Sequence, residues 1–223
     1  MRLLELALHT DQPERLHSFY AETLGLPRIT AADDLIFQVG ATKLSFQRSA
    51  TPHRYHFAFN IPNNQFDAAK AWIKARVPLI PIKDDQDEID FTSWNAKSLY
   101  FFDPAGNVLE FIARYGLENA CDDAFDSSGL LNISEIGLGT PDVQRTVQEI
   151  QTHLGYPVFD GEGSTTFCAI GNDEGLFIVV PEGREWFPFT GVTAGLCPLT
   201  AVVEADTPQD LPLSGTPYRI VAL

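Results

Sequence analysis

Two separated blocks of the sequence recur at a fixed distance, which indicates a fold built by duplication. Residues 4–10 (LELALHT) match residues 134–140 (SEIGLGT), and residues 24–27 (LGLP) match residues 154–157 (LGYP). Both matches have the same offset of 130 residues, so no insertion separates them. Gap-free blocks at one offset indicate an internal repeat, whose units bury their apolar faces against one another.

The repeated unit has the element order βαβββ. The apolar run 2–9 predicts a strand, Asp11 and Pro13 predict the N-cap and first turn of a helix, and Gly25 predicts its end. Three short strands follow, and the same order repeats over 55–113. The strands predicted after the first one are 26–30, 35–39, 43–47, 55–61, 79–82, 89–94, 98–102 and 108–113.

The repeat predicts an α+β protein with two domains of tandem βαβββ modules. The first domain is 1–118, with modules at 1–50 and 54–116. The polar segment 119–130 is the predicted linker, and 131–223 the second domain.

The final module of the second domain is predicted to be truncated. After about Val180, strand patterns remain only at 199–204 and 218–223, and no helix pattern lies between them. The second domain is therefore a degenerate copy of the first.

Composition narrows the class of partner. The net charge of −15 repels phosphate backbones and anionic membrane surfaces, so we expect no nucleic-acid or membrane partner. No segment approaches the ~20 apolar residues that span a bilayer. The three cysteines are widely spaced and odd in number, which favours free thiols and a cytoplasmic protein. A small-molecule partner and a monomer or homodimer are the expectation.

A predicted hairpin carries one carboxylate in an apolar setting. Residues 98–102 (SLYFF) are followed by the turn formers 103–107 (DPAGN) and a second apolar run, 108–112 (VLEFI). Glu110 lies in the second run, where a buried charge is costly unless a positive partner satisfies it. A metal ion, an arginine or a solvent-filled cavity would each do so.

Four features of the sequence together resemble the vicinal oxygen chelate (VOC) superfamily. They are this hairpin, the paired βαβββ modules, the helix signals Phe19-Tyr20 and Leu24-Gly25-Leu26, and the strand 56–61 (HFAFNI). That superfamily includes glyoxalase I, fosfomycin- and bleomycin-resistance proteins and extradiol dioxygenases. The similarity covers about the first 115 residues strongly and the remainder weakly. It implies two modules that close into a cup around one divalent metal ion.

Carried over by position, the resemblance implies metal ligands at Glu5, His56 and Glu110. Ser45 stands where a fourth ligand is expected, which departs from the family pattern. One imidazole and two carboxylates suit Mn²⁺, Fe²⁺, Ni²⁺, Co²⁺ or Zn²⁺ and leave positions open. From the residues alone, an ordinary core or surface histidine is the better interpretation of His56, and a solvent-facing position on an edge strand explains Glu5 as well as metal binding does.

Tyr100 is the predicted catalytic residue. The resemblance implies a substrate-facing tyrosine there, which would donate a proton or hydrogen bond to a bound oxygen. Strand propensity and core packing explain an aromatic residue equally well. Glu135 is the copy of Glu5, but its module ends in the apolar run 177–179, so no second metal site is expected.

These features predict a divalent-metal-dependent enzyme that acts on a small oxygen-rich substrate. The reaction type is isomerase, lyase or transferase, in which a metal stabilises an oxyanion or enolate. Glu5 in place of a first histidine disfavours ring-cleaving dioxygenase chemistry, which stays an alternative. A non-catalytic binding protein of the bleomycin-resistance type is the other.

Overall fold

The structure is a computed structural model, and it describes residues 1–30, 35–83, 86–161 and 163–223. Over these ranges the chain forms two seven-stranded mixed β-sheets and three α-helices. The α+β class is therefore confirmed. Of the helices described, none has both the length and the apolar character needed to cross a bilayer.

The strands are numbered in chain order. They are β1 (Leu3–Thr10), β2 (Arg28–Thr30), β3 (Leu35–Val39), β4 (Thr42–Arg48), β5 (His56–Ile61), β6 (Ile89–Phe91), β7 (Ala96–Phe102), β8 (Val108–Arg114), β9 (Asn132–Thr140), β10 (Cys168–Asn172), β11 (Gly175–Pro181), β12 (Leu199–Val203), β13 (Gln209–Pro212) and β14 (Tyr218–Ala222). The helices are α1 (Pro13–His17), which continues as a π-helical segment (Ser18–Thr23), α2 (Phe66–Lys74) and α3 (Val143–Leu154).

The sheets pair the modules in an order that the sequence did not reveal. The first sheet has the order β13-β14-β12-β1-β4-β3-β2, and the second β10-β11-β9-β5-β8-β7-β6. The first module thus shares a sheet with the fourth, and the second with the third. The predicted cup between the first and second modules is wrong, because β1 and β5 lie in different sheets. The boundaries 1–118, 119–130 and 131–223 stay a prediction, since sheet membership does not show which parts fold independently.

The segment 119–130 connects β8 to β9, two strands of the same sheet. It is held at the start of α2, where the Gln65 side-chain amide donates to the Cys121 carbonyl (2.9 Å). The Cys121 N–H donates to the Asn64 side-chain oxygen (3.0 Å). These contacts tie the segment between β8 and β9 to the residues just before α2.

The last module is truncated, as predicted. Residues 199–223 form three strands with no helix between them. The strand β13 was not predicted, because its sequence, QDLP, carries little β propensity.

Three local predictions were wrong. The N-cap of α1 is Gln12 rather than Asp11, because Pro13 takes the first helical position. Residues 79–82 form only an isolated bridge from Leu79 to Phe101 at the sheet edge. The strand predicted over 89–94 ends at Phe91, where a 3₁₀ turn begins.

Strand β5 is buried on both faces, and its alternation sorts its side chains between two environments. Phe57, Phe59 and Ile61 belong to the main core, which includes residues of both sheets and all three helices. His56 and Ala58 lie on the opposite face of the sheet. Burial of each of these three apolar side chains stabilises the fold by about 1.5–3 kcal/mol. The other face of the same strand forms the floor of a cavity.

The turn before β8 forms as predicted and is fixed by Asp103. This buried carboxylate accepts hydrogen bonds from the Tyr20 hydroxyl (2.9 Å), the Asn107 side-chain amide (2.7 Å) and the Ala105 N–H (2.9 Å). Burial raises the pKa of Asp103, and these donors offset part of that effect. The turn thereby sets where β8 begins and where its side chains point.

Candidate functional site

Three buried side chains from three adjacent strands converge on the face of the second sheet that lies opposite the main core. One ligand atom each of His56, Glu110 and Glu135 lies within 4.8 Å of the others. His56 comes from β5 and Glu110 from its parallel neighbour β8. Glu135 lies on β9, directly opposite Ala58 of β5. Strand alternation places all three on one face.

The structure brings together two of the three predicted ligands and leaves out the third. Glu5 lies on β1 in the other sheet, partly exposed and opposite Lys43. Because β9 rather than β1 borders β5, Glu135 stands where Glu5 was expected. The 130-residue offset, which makes Glu135 the copy of Glu5, was the signal that could have identified it.

The strand pairs β5–β8 and β9–β11 are equivalent in the repeat, and they place the same kind of side chain toward the cluster except at one position. In the parallel β5–β8 pair, Glu110 lies two residues beyond the partner of His56. In the parallel β9–β11 pair, Ile178 has the same place relative to Glu135, and it lines a cavity. The cluster therefore has three polar donors and an apolar fourth position.

His56 is held in the form that binds metals. Its Nδ1 lies 3.1 Å from the Val108 carbonyl oxygen, an acceptor, so Nδ1 carries the proton. This leaves the Nε2 lone pair free, 3.6 Å from Oε2 of Glu110. Burial lowers the pKa of His56 to about 4, so at neutral pH the ring is uncharged and this contact is not an ion pair.

Of the two carboxylates, Glu135 has a positive partner in contact with it. Arg114 is completely buried and donates to Glu135, and its Nη1 lies 3.4 Å from Oδ1 of Asp173. Burial raises the pKa of Glu110, and the charge of Glu135 raises it further. Burial also raises the pKa of Glu135, against the opposing effect of Arg114. Among the described residues, no lysine or arginine forms an ion pair with Glu110, so the cluster favours an added cation or proton.

A cavity of about 310 Å³ lies against this cluster. Its walls are mostly aromatic, and part of them comes from the arm between β11 and β12, residues 183–194. The arm folds on itself through the Gly183 N–H to Ala194 carbonyl (2.7 Å) and Trp186 N–H to Val192 carbonyl (2.8 Å) hydrogen bonds. No periodic pattern marks this arm, so the sequence did not predict it. The lining residues are His56, Phe91, Trp94, Tyr100, Glu110, Glu135, Phe167, Ile178, Arg184, Glu185, Trp186, Phe187 and Phe189.

Tyr100 also lines this cavity, directly opposite Glu110 in the β7–β8 pair. Burial and the charges of Glu110 and Glu135 raise its pKa well above the ordinary value, so the phenol keeps its proton. Its ring centre lies 5.4 Å from that of Phe187. The position suits a hydrogen-bond donor and a packed wall residue alike.

Gly137 makes room for the cavity wall. A Cβ at this position would lie 2.4 Å from Cη2 of Trp186, whose ring centre lies 5.1 Å from that of His56. We expect Gly137→Ala to displace the indole, lower the free energy of unfolding by about 1–3 kcal/mol and shift the tryptophan emission. Urea unfolding followed by fluorescence measures both effects.

The matched control is Gly195→Ala, whose Cβ would meet only Cys197 Sγ at 3.5 Å. It should stay within about 0.5 kcal/mol of the wild type. Wild-type stability and emission in Gly137→Ala would show that the packing of Trp186 does not require a residue without a side chain at position 137.

Solved structures share the fold of this chain. No protein-family model matches the sequence, and no curated protein matches it. The structure is similar to that of a Bacillus subtilis protein provisionally described as a dioxygenase, with a TM-score of 0.66, 15% identity and coverage of 100% of this chain and 85% of that one. It is also similar to glyoxalase I from Zea mays, with a TM-score of 0.59, 12% identity and coverage of 99% and 91%. At these identities the likeness shows the fold alone, and this fold is the one that the resemblance to the VOC superfamily implied.

Proposed function

We propose that this protein is a divalent-metal-dependent enzyme of the VOC type that acts on a small oxygen-bearing substrate. One observation carries the proposal: three buried donors, His56, Glu110 and Glu135, face one point beside a cavity. The net charge of −15 supports a small molecule rather than a nucleic acid as the partner.

The donor set fits a divalent cation. One uncharged imidazole nitrogen and two carboxylates are ligands that Mn²⁺, Fe²⁺, Ni²⁺, Co²⁺ and Zn²⁺ accept. The cluster contains two carboxylates and Arg114 pairs with one of them, Glu135, so an added cation would relieve the repulsion between Glu110 and Glu135. When bound, such an ion acts as a Lewis acid that stabilises negative charge on a substrate oxygen.

The surrounding residues have separate tasks in this proposal. Tyr100 presents a protonated hydroxyl beside Glu110 and would donate a hydrogen bond or proton to a substrate oxygen. Arg114 holds Glu135 in place through a charge-assisted hydrogen bond. The apolar Ile178 and the aromatic walls exclude water from the reacting atoms.

A second candidate function is binding without chemistry. The Arg114–Glu135 ion pair and the raised pKa of Glu110 allow the cluster to fold with a proton in place of a cation. A metal-free cavity with these walls would still bind a small molecule. Metal binding decides between the two functions.

The test is a titration of the purified chain with Mn²⁺, followed by electron paramagnetic resonance. We expect one ion per chain. Water-proton relaxation, measured on the same samples, should be enhanced by an exchangeable water on the ion, since Ile178 at the fourth position supplies no ligand atom. His56→Ala should weaken binding by about 100-fold. His153→Ala is the control, because this exposed histidine lies on α3 outside the cavity.

Two results would contradict the proposal. One is a folded wild type that binds no Mn²⁺, Ni²⁺ or Zn²⁺. The other is an ion that His56→Ala leaves in place, since the ion would then lie elsewhere.

A further inference from the structure

A nearly continuous line of aromatic rings surrounds the cavity. Neighbouring ring centres along it are 5.1–6.3 Å apart, which are distances of direct aromatic packing. We call this line the aromatic belt. Its members, in spatial order, are Trp186, His56, Tyr100, Phe187, Phe91 and Trp94.

The belt extends to the mouth of the cavity through Phe189. This phenylalanine is 68% exposed, and its ring centre lies 5.6 Å from that of Phe187. An exposed phenylalanine is stabilised when its apolar surface is buried, and a ligand in the adjacent cavity would bury the ring of Phe189. It also has a φ of 66°, a conformation that is uncommon for a residue with a side chain.

The charged residues of the lining limit the charge of a ligand. Arg184 is the one cationic residue among the described lining residues, and its guanidinium donates to the Thr166 carbonyl and lies 5.2 Å from the Phe167 ring centre. Glu185 accepts a hydrogen bond from the Gly191 N–H. The lining therefore has three carboxyl groups, of Glu110, Glu135 and Glu185, against one guanidinium, a balance that disfavours an anionic ligand.

We propose that the cavity binds the flat aromatic part of an uncharged ligand, with the ring against the aromatic belt and the polar end toward the cluster. This inference rests on the proposed function and names the class of ligand for the same site. The volume of about 310 Å³ equals that of roughly ten water molecules, which suits a bicyclic ring system.

Ring–ring packing distinguishes this proposal from general apolar binding. Each offset or edge-to-face aromatic contact favours binding by roughly two- to tenfold beyond the area that it buries. A saturated molecule of the same skeleton buries similar area but makes no such contact. Two molecules with the same carbon skeleton and hydroxyl position, one aromatic and one saturated, therefore separate the two explanations.

The test is calorimetric titration of the metal-free and the Mn²⁺-loaded chain with 2-naphthol and with its saturated analogue, decahydro-2-naphthol. We expect 2-naphthol to bind about tenfold more tightly in both states. Trp94→Leu should weaken 2-naphthol about tenfold and Phe189→Ala about threefold. The control Phe102→Leu should leave binding unchanged, because Phe102 is 37% exposed and is not among the lining residues.

Failure of this inference is distinguishable from failure of the proposed function. Equal or tighter binding of decahydro-2-naphthol overturns the inference, and so does a chain that binds Mn²⁺ but neither probe. A chain that binds 2-naphthol but no metal ion supports the inference and overturns the proposed function. Phe189→Ala keeps the test valid if Trp94→Leu fails to fold, since its side chain is exposed.

Discussion

Arg114→Met is expected to lower the free energy of unfolding by about 3–5 kcal/mol, the cost of leaving one charge of a buried pair alone. Arg114 is 0% exposed and is the cation that Glu135 contacts. Methionine keeps much of the apolar volume between Trp94 and Phe159, whose ring centres lie 5.7 Å from the guanidinium carbon. The loss therefore reports on charge rather than on packing. Urea unfolding at neutral pH in the presence of a chelator measures it.

Two variants make this result specific. Arg48→Met removes an exposed ion pair with Glu14 and should cost less than about 1 kcal/mol. The double variant Arg114→Met with Glu135→Gln should recover a large part of the loss, because it removes the stranded charge as well. A loss below about 1 kcal/mol for Arg114→Met alone would contradict the buried pairing.

Glu110→Gln is expected to have opposite effects on metal binding and on stability. Affinity for Mn²⁺ should fall by about 100-fold or more, since even residues outside the ligand set cost 10- to 100-fold. The metal-free chain should instead become more stable at pH 8, by about 1–3 kcal/mol, because a buried carboxylate without its own cation is removed.

The effect of Glu110→Gln on the stability of the metal-free chain should depend on pH. The pKa of Glu110 is raised in the folded chain above the value of about 4.3 for an unfolded chain. The folded chain therefore holds a proton that the unfolded chain releases, and stability from this group is lost as pH rises from about 4.3 toward the raised pKa. Metal-free wild type and Glu110→Gln should be closest in stability near pH 5 and should diverge by pH 8. Urea unfolding of both proteins at the two pH values checks this. A metal-free Glu110→Gln that is less stable than the wild type at pH 8 would show that Glu110 has a structural role.

The turns and strands could be predicted from the sequence because each of them depends on residues that are neighbours in the chain. The turn formers 103–107 fix the hairpin, and the apolar alternation around His56 and Glu110 placed both on buried strands. The family resemblance then identified these two residues as partners. The structure brings them together at 3.6 Å, between Nε2 and Oε2.

The pairing of the modules could not be predicted from the sequence, because it depends on contacts between strands that are far apart in the chain. The repeat says that β1 and β9 are equivalent but not which of them borders β5. Since β9 does, Glu135 rather than Glu5 completes the cluster. The arm at 183–194 was missed for another reason. Its fold comes from turns and backbone hydrogen bonds, which leave no hydrophobic period.

The central claim is that one metal ion binds between the second and third modules. The most direct test is elemental analysis of the chain purified without chelator, as wild type, Glu135→Gln and Glu5→Gln. Both substitutions remove one negative charge from equivalent positions of the repeat, but only Glu135 belongs to the buried cluster. We expect one divalent ion per chain in the wild type and in Glu5→Gln, and its loss in Glu135→Gln. Loss of the ion in Glu5→Gln with retention in Glu135→Gln would contradict the site described above.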